Sequence, residues 1–190
     1  MDLREIIGQR RAYRSLAPVE IGVDLIRDLA ATASLSASCF NNQPWRFVFV
    51  IDPTILRKLH GALSENNRWA EAASMIVAVV SRRDLDCVIK EREYYLFDCG
   101  MATAFMILRA TELGLVMHPI AGYDEGKARE ILGIPVDMRL AALLICGRHA
   151  EEAGSLLTAK QREGEKKRPE RHPLERIMML NAFKSEEPRK

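Results

Sequence analysis

Two groups of side chains stand out because their types and spacing could do chemistry. The first is Arg10-Arg11-Ala12-Tyr13-Arg14, which places three guanidinium groups within five residues. The chain has no glycine-rich phosphate loop, neither the dinucleotide type nor the P-loop type, so a bound phosphate must be held by side chains. Planar guanidinium groups do this with paired, charge-assisted hydrogen bonds. The second group is Ser38-Cys39-Phe40-Asn41-Asn42-Gln43-Pro44-Trp45-Arg46-Phe47, a hydroxyl and three amides in the turn ahead of an apolar run. Side-chain amides present donors and acceptors together, which suits a heterocyclic ligand edge that needs both. The same amides could instead satisfy the turn's own backbone, with Trp45 in the core.

Taken with what surrounds them, these segments resemble the nitroreductase family. Its members carry an Arg-Arg-Ser-x-Arg type motif followed by Pro-Ser-x-x-Asn-x-Gln-Pro-Trp, and this chain has both in order, with Ala12 where the family often has Ser and Ala37 where it often has Pro. Pro119-Ile120-Ala121-Gly122-Tyr123 is similar to the family segment whose backbone amides face the redox-active edge of a flavin, and Ile131-Leu132-Gly133-Ile134-Pro135 to a common follower. Lys167-Arg168-Pro169-Glu170-Arg171-His172-Pro173-Leu174-Glu175 is similar to a late basic motif, in which Arg171 is the best phosphate candidate. The resemblance implies FMN as cofactor, with Arg10, Arg14 and Arg171 as the phosphate clamp beside Arg11. It also implies Ser38, Cys39, Asn41, Gln43, Asn66, Pro119, Ile120, Ala121 and Gly122 around the ribityl chain and ring, with Arg68 a weaker candidate. Fixed backbone N–H dipoles in the segment after Pro119 make physical sense, because reduction builds negative charge on the ring.

The same resemblance implies a reaction in which NAD(P)H leaves hydride and departs before a nitroaromatic, quinone or similar small conjugated acceptor takes its place. It implies a homodimer with shared active sites. No catalytic side chain is expected, since the cofactor would carry the redox chemistry. His60 lies on an ordinary helix and His118 is a lone residue, and neither is assigned acid–base work. The alternatives are other flavin chemistry of the superfamily, such as dehalogenation or flavin breakdown, a non-catalytic flavin-binding module, or a nucleic-acid binder using the basic segments. The last is disfavoured by a net charge of only +2. No metal is expected, because Cys39, Cys87, Cys99 and Cys146 have no close pair of the zinc or thiol-redox kind, and they are read as reduced, mostly buried thiols.

The elements that must position these residues follow from periodicity. Leu3, Ile6 and Ile7 mark a short first helix. A second runs from Glu20 with Ile21, Leu25, Ile26, Leu29 and Ala33 on its apolar side. Arg46–Ile51 reads as a strand, and Asp52-Pro53 opens a helix burying Ile55, Leu56, Leu59 and Leu63, which gives out in the polar connection Glu65–Arg68. Met75–Val80 is a strand covered on both faces. A long helix is predicted between about Ile89 and Leu113, with Leu96, Met101, Phe105, Leu108 and Leu113 on its apolar side and Gly114 ending it. Val116–Ile120 is extended, Asp124 caps a helix through Leu132, and Leu140–Cys146 is the last strand.

The fold class expected is α+β, a mostly antiparallel sheet flanked by helices, with the long helix at a dimer interface. Residues 1–150 would form the FMN-binding domain and 151–190 its C-terminal extension, charged enough to bury little against its own domain and to pack on a partner. No apolar run approaches the roughly 20 residues of a membrane helix, and no signal peptide is evident, so the expected compartment is the cytoplasm.

Overall fold

The computed structural model describes residues 2–152 and 154–183. Helix α1 (Leu3–Gln9) starts on a reciprocal cap in which Asp2 accepts from the Glu5 N–H and Glu5 from the Asp2 N–H, each at 2.9 Å. Strand β1 (Leu16–Ala17) and helix α2 (Val23–Ser34) follow. Strand β2 (Arg46–Val50) then leads into α3 (Pro53–His60), where the Asp52 carboxylate accepts from the Thr54 and Ile55 N–H groups and Pro53 sits at the first helical position. That helix ends before Leu63, and the polar connection expected at Glu65–Arg68 is the start of a 3₁₀ stretch, Glu65–Ala72, that buries Trp69 and Ala70.

Strand β3 (Met75–Ser81) is buried at every position. The expected long helix is shorter than its apolar pattern suggested. Val88–Ile89 (β4) and Arg92–Glu93 (β5) form a two-stranded hairpin turning at Lys90, whose φ is 56°, and α4 begins only at Tyr95 and runs to Glu112. Its buried stripe is Tyr95, Cys99, Ala102, Met106 and Ala110. Leu96, Phe105 and Leu113, expected on the buried side, are 50%, 42% and 39% exposed. Small and slender residues win the core face here because they let α4 approach α2 and the sheet closely. Gly114 (φ 73°) ends the helix as expected. Strand β6 (Val116–Ile120), α5 (Glu125–Leu132, capped by Asp124 and closed by Gly133 at φ 64°) and β7 (Arg139–His149) complete the core. Beyond them lie α6 (Ala159–Lys166) and the single turn α7 (Leu174–Ile177).

Every strand pairing among the described residues is antiparallel, which agrees with an α+β class. β7 is the spine of the main sheet. β3 pairs along it from Met75 opposite Cys146 to Ser81 opposite Arg139, with a register shift at Val79/Val80; β6 pairs from Val116 opposite Gly147 to Ile120 opposite Leu143; and β1 sets Leu16 opposite His149. β2 lies outside β3. Side-chain alternation splits the core in two. Met75, Val77, Val79, Leu144 and Cys146 meet α2 and α4 on one face, while Ile76, Ala78, Val80, Leu143 and Ile145 meet α3, α5 and Trp69 on the other.

Two expectations are corrected. Cys39 and Cys87 are not free thiols: they form a disulfide across Cα atoms 6.1 Å apart, leaving Cys99 and Cys146 as the buried thiols. The chain segment after residue 150 also packs on its own core in part. Leu157 is buried, and α6 is a capped helix that charged composition concealed, although Leu174, Ile177, Met178, Leu180 and Phe183 remain exposed.

The two-face core predicts that Leu29→Ala, at a position fully buried between α2, α4 and the sheet, lowers unfolding stability by about 2–5 kcal/mol. Leu35→Ala, just beyond the same helix and largely exposed, should shift it by no more than about 0.5 kcal/mol. Urea denaturation midpoints of the two variants measure the difference.

Candidate functional site

Between α1 and β1 the chain is irregular, and its side chains are set by neighbours rather than by helix or strand geometry. Arg10, Arg11 and Arg14 are each half-buried there. Burial, together with nearby Arg168, Arg171 and Arg11, pushes the Arg10 pKa below its ordinary value. The late basic motif is therefore folded back onto the early one, with Arg168 and Arg171 near Arg10. Among the described residues no carboxylate lies within ion-pair distance of Arg10, Arg11, Arg14, Arg168 or Arg171.

Their roles divide by what each guanidinium touches. Arg11 donates to the Gly164 and Glu165 carbonyls at 3.0 and 3.1 Å, which caps the last turn of α6, and lies over the Tyr13 ring. Arg168 donates to the Gly8 and Arg10 carbonyls at 2.7 and 2.6 Å. Glu165 returns the contact: its carboxylate accepts from the Arg14 N–H at 3.1 Å and the Ser15 N–H at 3.1 Å. Arg14 lies 5.9 Å from the centre of the Trp69 ring, and no guanidinium hydrogen bond ties down Arg10, Arg14 or Arg171 among the described residues. Sequence reasoning missed Glu165 and Trp69. Neither belongs to a recognisable motif, and only the packing of α6 and of the 3₁₀ stretch brings them here.

From this cluster a connected row leads to the Pro119–Gly122 segment. Trp69 packs at a tilt against His118 with ring centres 4.7 Å apart and donates to Asn67 Oδ1 at 3.2 Å; Asn67 in turn donates to the Gly122 carbonyl at 3.0 Å. A Cβ on Gly122 would meet Asn67 Nδ2 and Ser64 Oγ at 2.6 Å, so a larger residue there would displace both side chains. His118 is buried, and its Nδ1 lies 3.0 Å from the Tyr13 carbonyl. A carbonyl only accepts, so Nδ1 carries the hydrogen. Burial holds the ring neutral by pushing its pKa down, with the Tyr13 contact opposing and Arg14 adding to the shift. Asn66 is exposed, and its carbonyl accepts from Gln161 of α6 at 2.7 Å; Arg68 pairs with Glu65 and Glu71. Pro119 and Ala121 are exposed and Ile120 is buried.

The amide turn lies elsewhere. Its backbone is unusual, with φ of 47° at Phe40, 59° at Asn41 and 50° at Gln43, conformations that non-glycine residues adopt only when surroundings enforce them. Ser38 Oγ accepts from the Gln43 N–H at 3.0 Å, and the Cys39 N–H donates to buried Asp98 at 2.7 Å. The side chains of Asn41 and Gln43 are exposed, and Phe40 is 86% exposed. Ser81 Oγ donates to the Pro44 carbonyl, and Ser81 stands opposite Arg139 at the start of β7. The arginine cluster is at the other end of that strand, where Tyr13 stacks on His149 at 3.7 Å and Ser15 accepts from the Ala150 N–H. At about 3.3 Å per residue, β7 separates the two by about 30 Å. A strand nearly spanning the domain thus holds the two groups of candidate residues apart within one chain.

As a test of fit to a phosphorylated flavin, the arginine cluster without ion-paired carboxylates supplies what a dianionic phosphate needs, and the Pro119–Ala121 segment, exposed at Pro119 and Ala121 and backed by Asn67 and buried Trp69, supplies a backbone edge for the ring. The residues fit that group.

The comparisons with known proteins agree with this architecture. The chain is 26% identical over 182 residues to the NADH dehydrogenase of Thermus thermophilus, covering 80% of this chain and 89% of that protein. It is 24% identical to the oxygen-insensitive NADPH nitroreductase of Helicobacter acinonychis, covering 67% and 78%. Its fold superposes on a crystal structure described as an oxidoreductase containing FMN with a TM-score of 0.83 at 24% identity, over 98% of this chain and 94% of that one. The family model described as Nitroreductase family matches residues 7–148, from the end of α1 to the end of β7, and so the chain belongs to the nitroreductase family.

Proposed function

We propose that this member of the nitroreductase family, an NAD(P)H-dependent oxidoreductase, binds one FMN per site and reduces nitroaromatics, quinones or similar small conjugated acceptors, with two copies of the chain sharing each site. The observation that carries the reading is the cluster of Arg10, Arg14 and Arg171 without carboxylate partners. Bound FMN would supply the chemistry by taking hydride from NAD(P)H and passing it to an acceptor that occupies the same place afterwards.

The chain's own residues bind, orient and shield. Arg10, Arg14 and Arg171 neutralise the phosphate, whose charge of about −2 removes the repulsion among them. Arg11 and Arg168 hold the clamp loop in register through backbone carbonyls rather than touching the ligand. Backbone N–H groups of the Ala121–Gly122 segment stabilise negative charge on the reduced ring. The exposed amides of Asn41 and Gln43 are out of reach of the clamp in the same copy, which favours their serving the site of a second copy. Phe105 on α4, with Leu3 and Ile7 on α1, forms an exposed apolar surface that such a pairing would cover.

The purified protein should show the twin visible bands of a flavin, bleached by NADH or NADPH and restored by a quinone. A colourless protein that ignores added FMN would overturn the reading. Arg10→Ala should weaken FMN binding about 10- to 100-fold, as expected for one charge-assisted pair, measured by flavin fluorescence quenching.

Sharing of sites is tested by mixing. At an FMN concentration that loads the wild type but neither the Arg10→Ala nor the Asn41→Ala homodimer, a mixture of the two variants should recover about a quarter of the wild-type sites after dissociation and random reassociation, because one site of each mixed dimer is intact. Failure of the mixture to exceed either parent would place both residues in one copy.

A further inference from the structure

The disulfide sits at a chemically distinctive place. Cys39 belongs to the amide turn and Cys87 to the loop before the β4–β5 hairpin, 48 residues later. Neither sulfur is deeply buried. Two carboxyl groups flank the bond. Asp98, 2% exposed on the first turn of α4, accepts from the Cys39 N–H at 2.7 Å, and Asp86 accepts from the Cys87 N–H at 2.8 Å. An Asp86 oxygen lies within 4.8 Å of both sulfurs. The second Asp86 oxygen is buried and has no hydrogen-bond partner among the described residues. Burial and the neighbouring Asp86 both push the Asp98 pKa up, against the pull of the Cys39 N–H.

The other two thiols offer nothing comparable. Burial pushes Cys99 up to about 11 and Cys146 up to about 12, which leaves both as inert thiols.

We propose that Cys39–Cys87 is a thiol–disulfide exchange site that takes dithiols as its reductant, and that its oxidation state sets the order of the Ser38–Gln43 turn. A dithiol's thiolate attacks Cys87 Sγ, the S–S bond breaks, and its electron pair leaves on Cys39 Sγ, which is protonated from solvent. The second thiol of the reductant, as thiolate, attacks the mixed disulfide; the reductant leaves oxidised, and the Cys87 thiolate is protonated from solvent. Two electrons and two protons are transferred, and two cysteine thiols result. The backbone consequence follows from the turn's conformation. Three residues at positive φ are held in place by the Ser38, Asp98 and Cys87 contacts, and cutting the covalent one lets the turn relax. The effect on flavin affinity rests on the function proposed above, because Ser38, Asn41 and Gln43 would then lose their arrangement.

Ellman titration of the chain purified without reductant and then denatured should find two thiols, rising to four when the native protein is first treated with dithiothreitol and returning to two after oxidised dithiothreitol. Amide hydrogen exchange over residues 38–45 should quicken on reduction, and Cys87→Ser should match the reduced protein with or without dithiothreitol. Flavin affinity of the reduced wild type should fall about tenfold, the scale of losing one preorganised loop. Four thiols that persist through oxidised dithiothreitol, or exchange over residues 38–45 that ignores reduction, would overturn the proposal. Redox-dependent exchange in a protein that binds FMN in neither state would uphold the exchange site and sink the flavin reading instead.

Discussion

Like charges gathered without ion-paired carboxylates are the constraint on which the rest of this structure turns. Five guanidinium groups meet where the end of α1, the irregular 10–15 segment and the chain after α6 converge, and no carboxylate pairs with any of them among the described residues. A few ångströms of separation between such groups is unfavourable in partly buried surroundings, even at an effective dielectric well above that of dry protein. The chain tolerates it by anchoring the loops through backbone groups. Arg11 and Arg168 reach carbonyls across the junction, and Glu165 spends its carboxylate on main-chain N–H groups of Arg14 and Ser15. The field is thereby left positive, and an anion of high charge density is the species that relieves it.

The sheet decides how that positive site can be completed. β7 is long enough to carry the clamp at its His149 end and the amide turn near its Arg139 end, and antiparallel pairing with β3 and β6 makes the distance between them rigid. No loop movement of ordinary size closes about 30 Å. Family membership and the exposed apolar side of α4 fit a solution in which a second copy brings its own turn to the first copy's clamp. The same geometry explains why α4 is lined by small residues inward and large ones outward: Ala102 and Ala110 admit the sheet and α2, while Phe97 and Phe105 stay available at the surface.

Strain is concentrated at the turn. Positive φ at Phe40, Asn41 and Gln43 is imposed by a covalent tie to Cys87, a buried carboxylate at Asp98 and the Ser38 hydroxyl, acting from three directions. Such over-determination is how a short segment of ordinary residues keeps exposed amides at fixed positions in water. It also makes the arrangement depend on the state of one sulfur–sulfur bond.

Local chemistry made much of this legible from the residues alone. Asp52-Pro53 and Asp124 announced helix starts, Gly114 and Gly133 announced helix ends, and the apolar run Met75–Val80 announced a strand with two covered faces, because caps and periodicity act over only a few residues. The arginine and amide motifs were equally visible, since residue type and spacing are all that a motif is. What remained hidden depended on contacts between distant segments. α6 was masked by its charges until its Glu165 found backbone donors at positions 14 and 15, and the inward face of α4 was misjudged because close packing favoured Ala and Cys over Leu and Phe. Cys39 and Cys87, 48 residues apart, carry no spacing signal at all. Above all, the sequence determined which side chains are available to hold an anion and a ring, whereas only the course of β7 decided that one chain keeps them at opposite ends, since distance in space is a property of the fold and not of the order of residues.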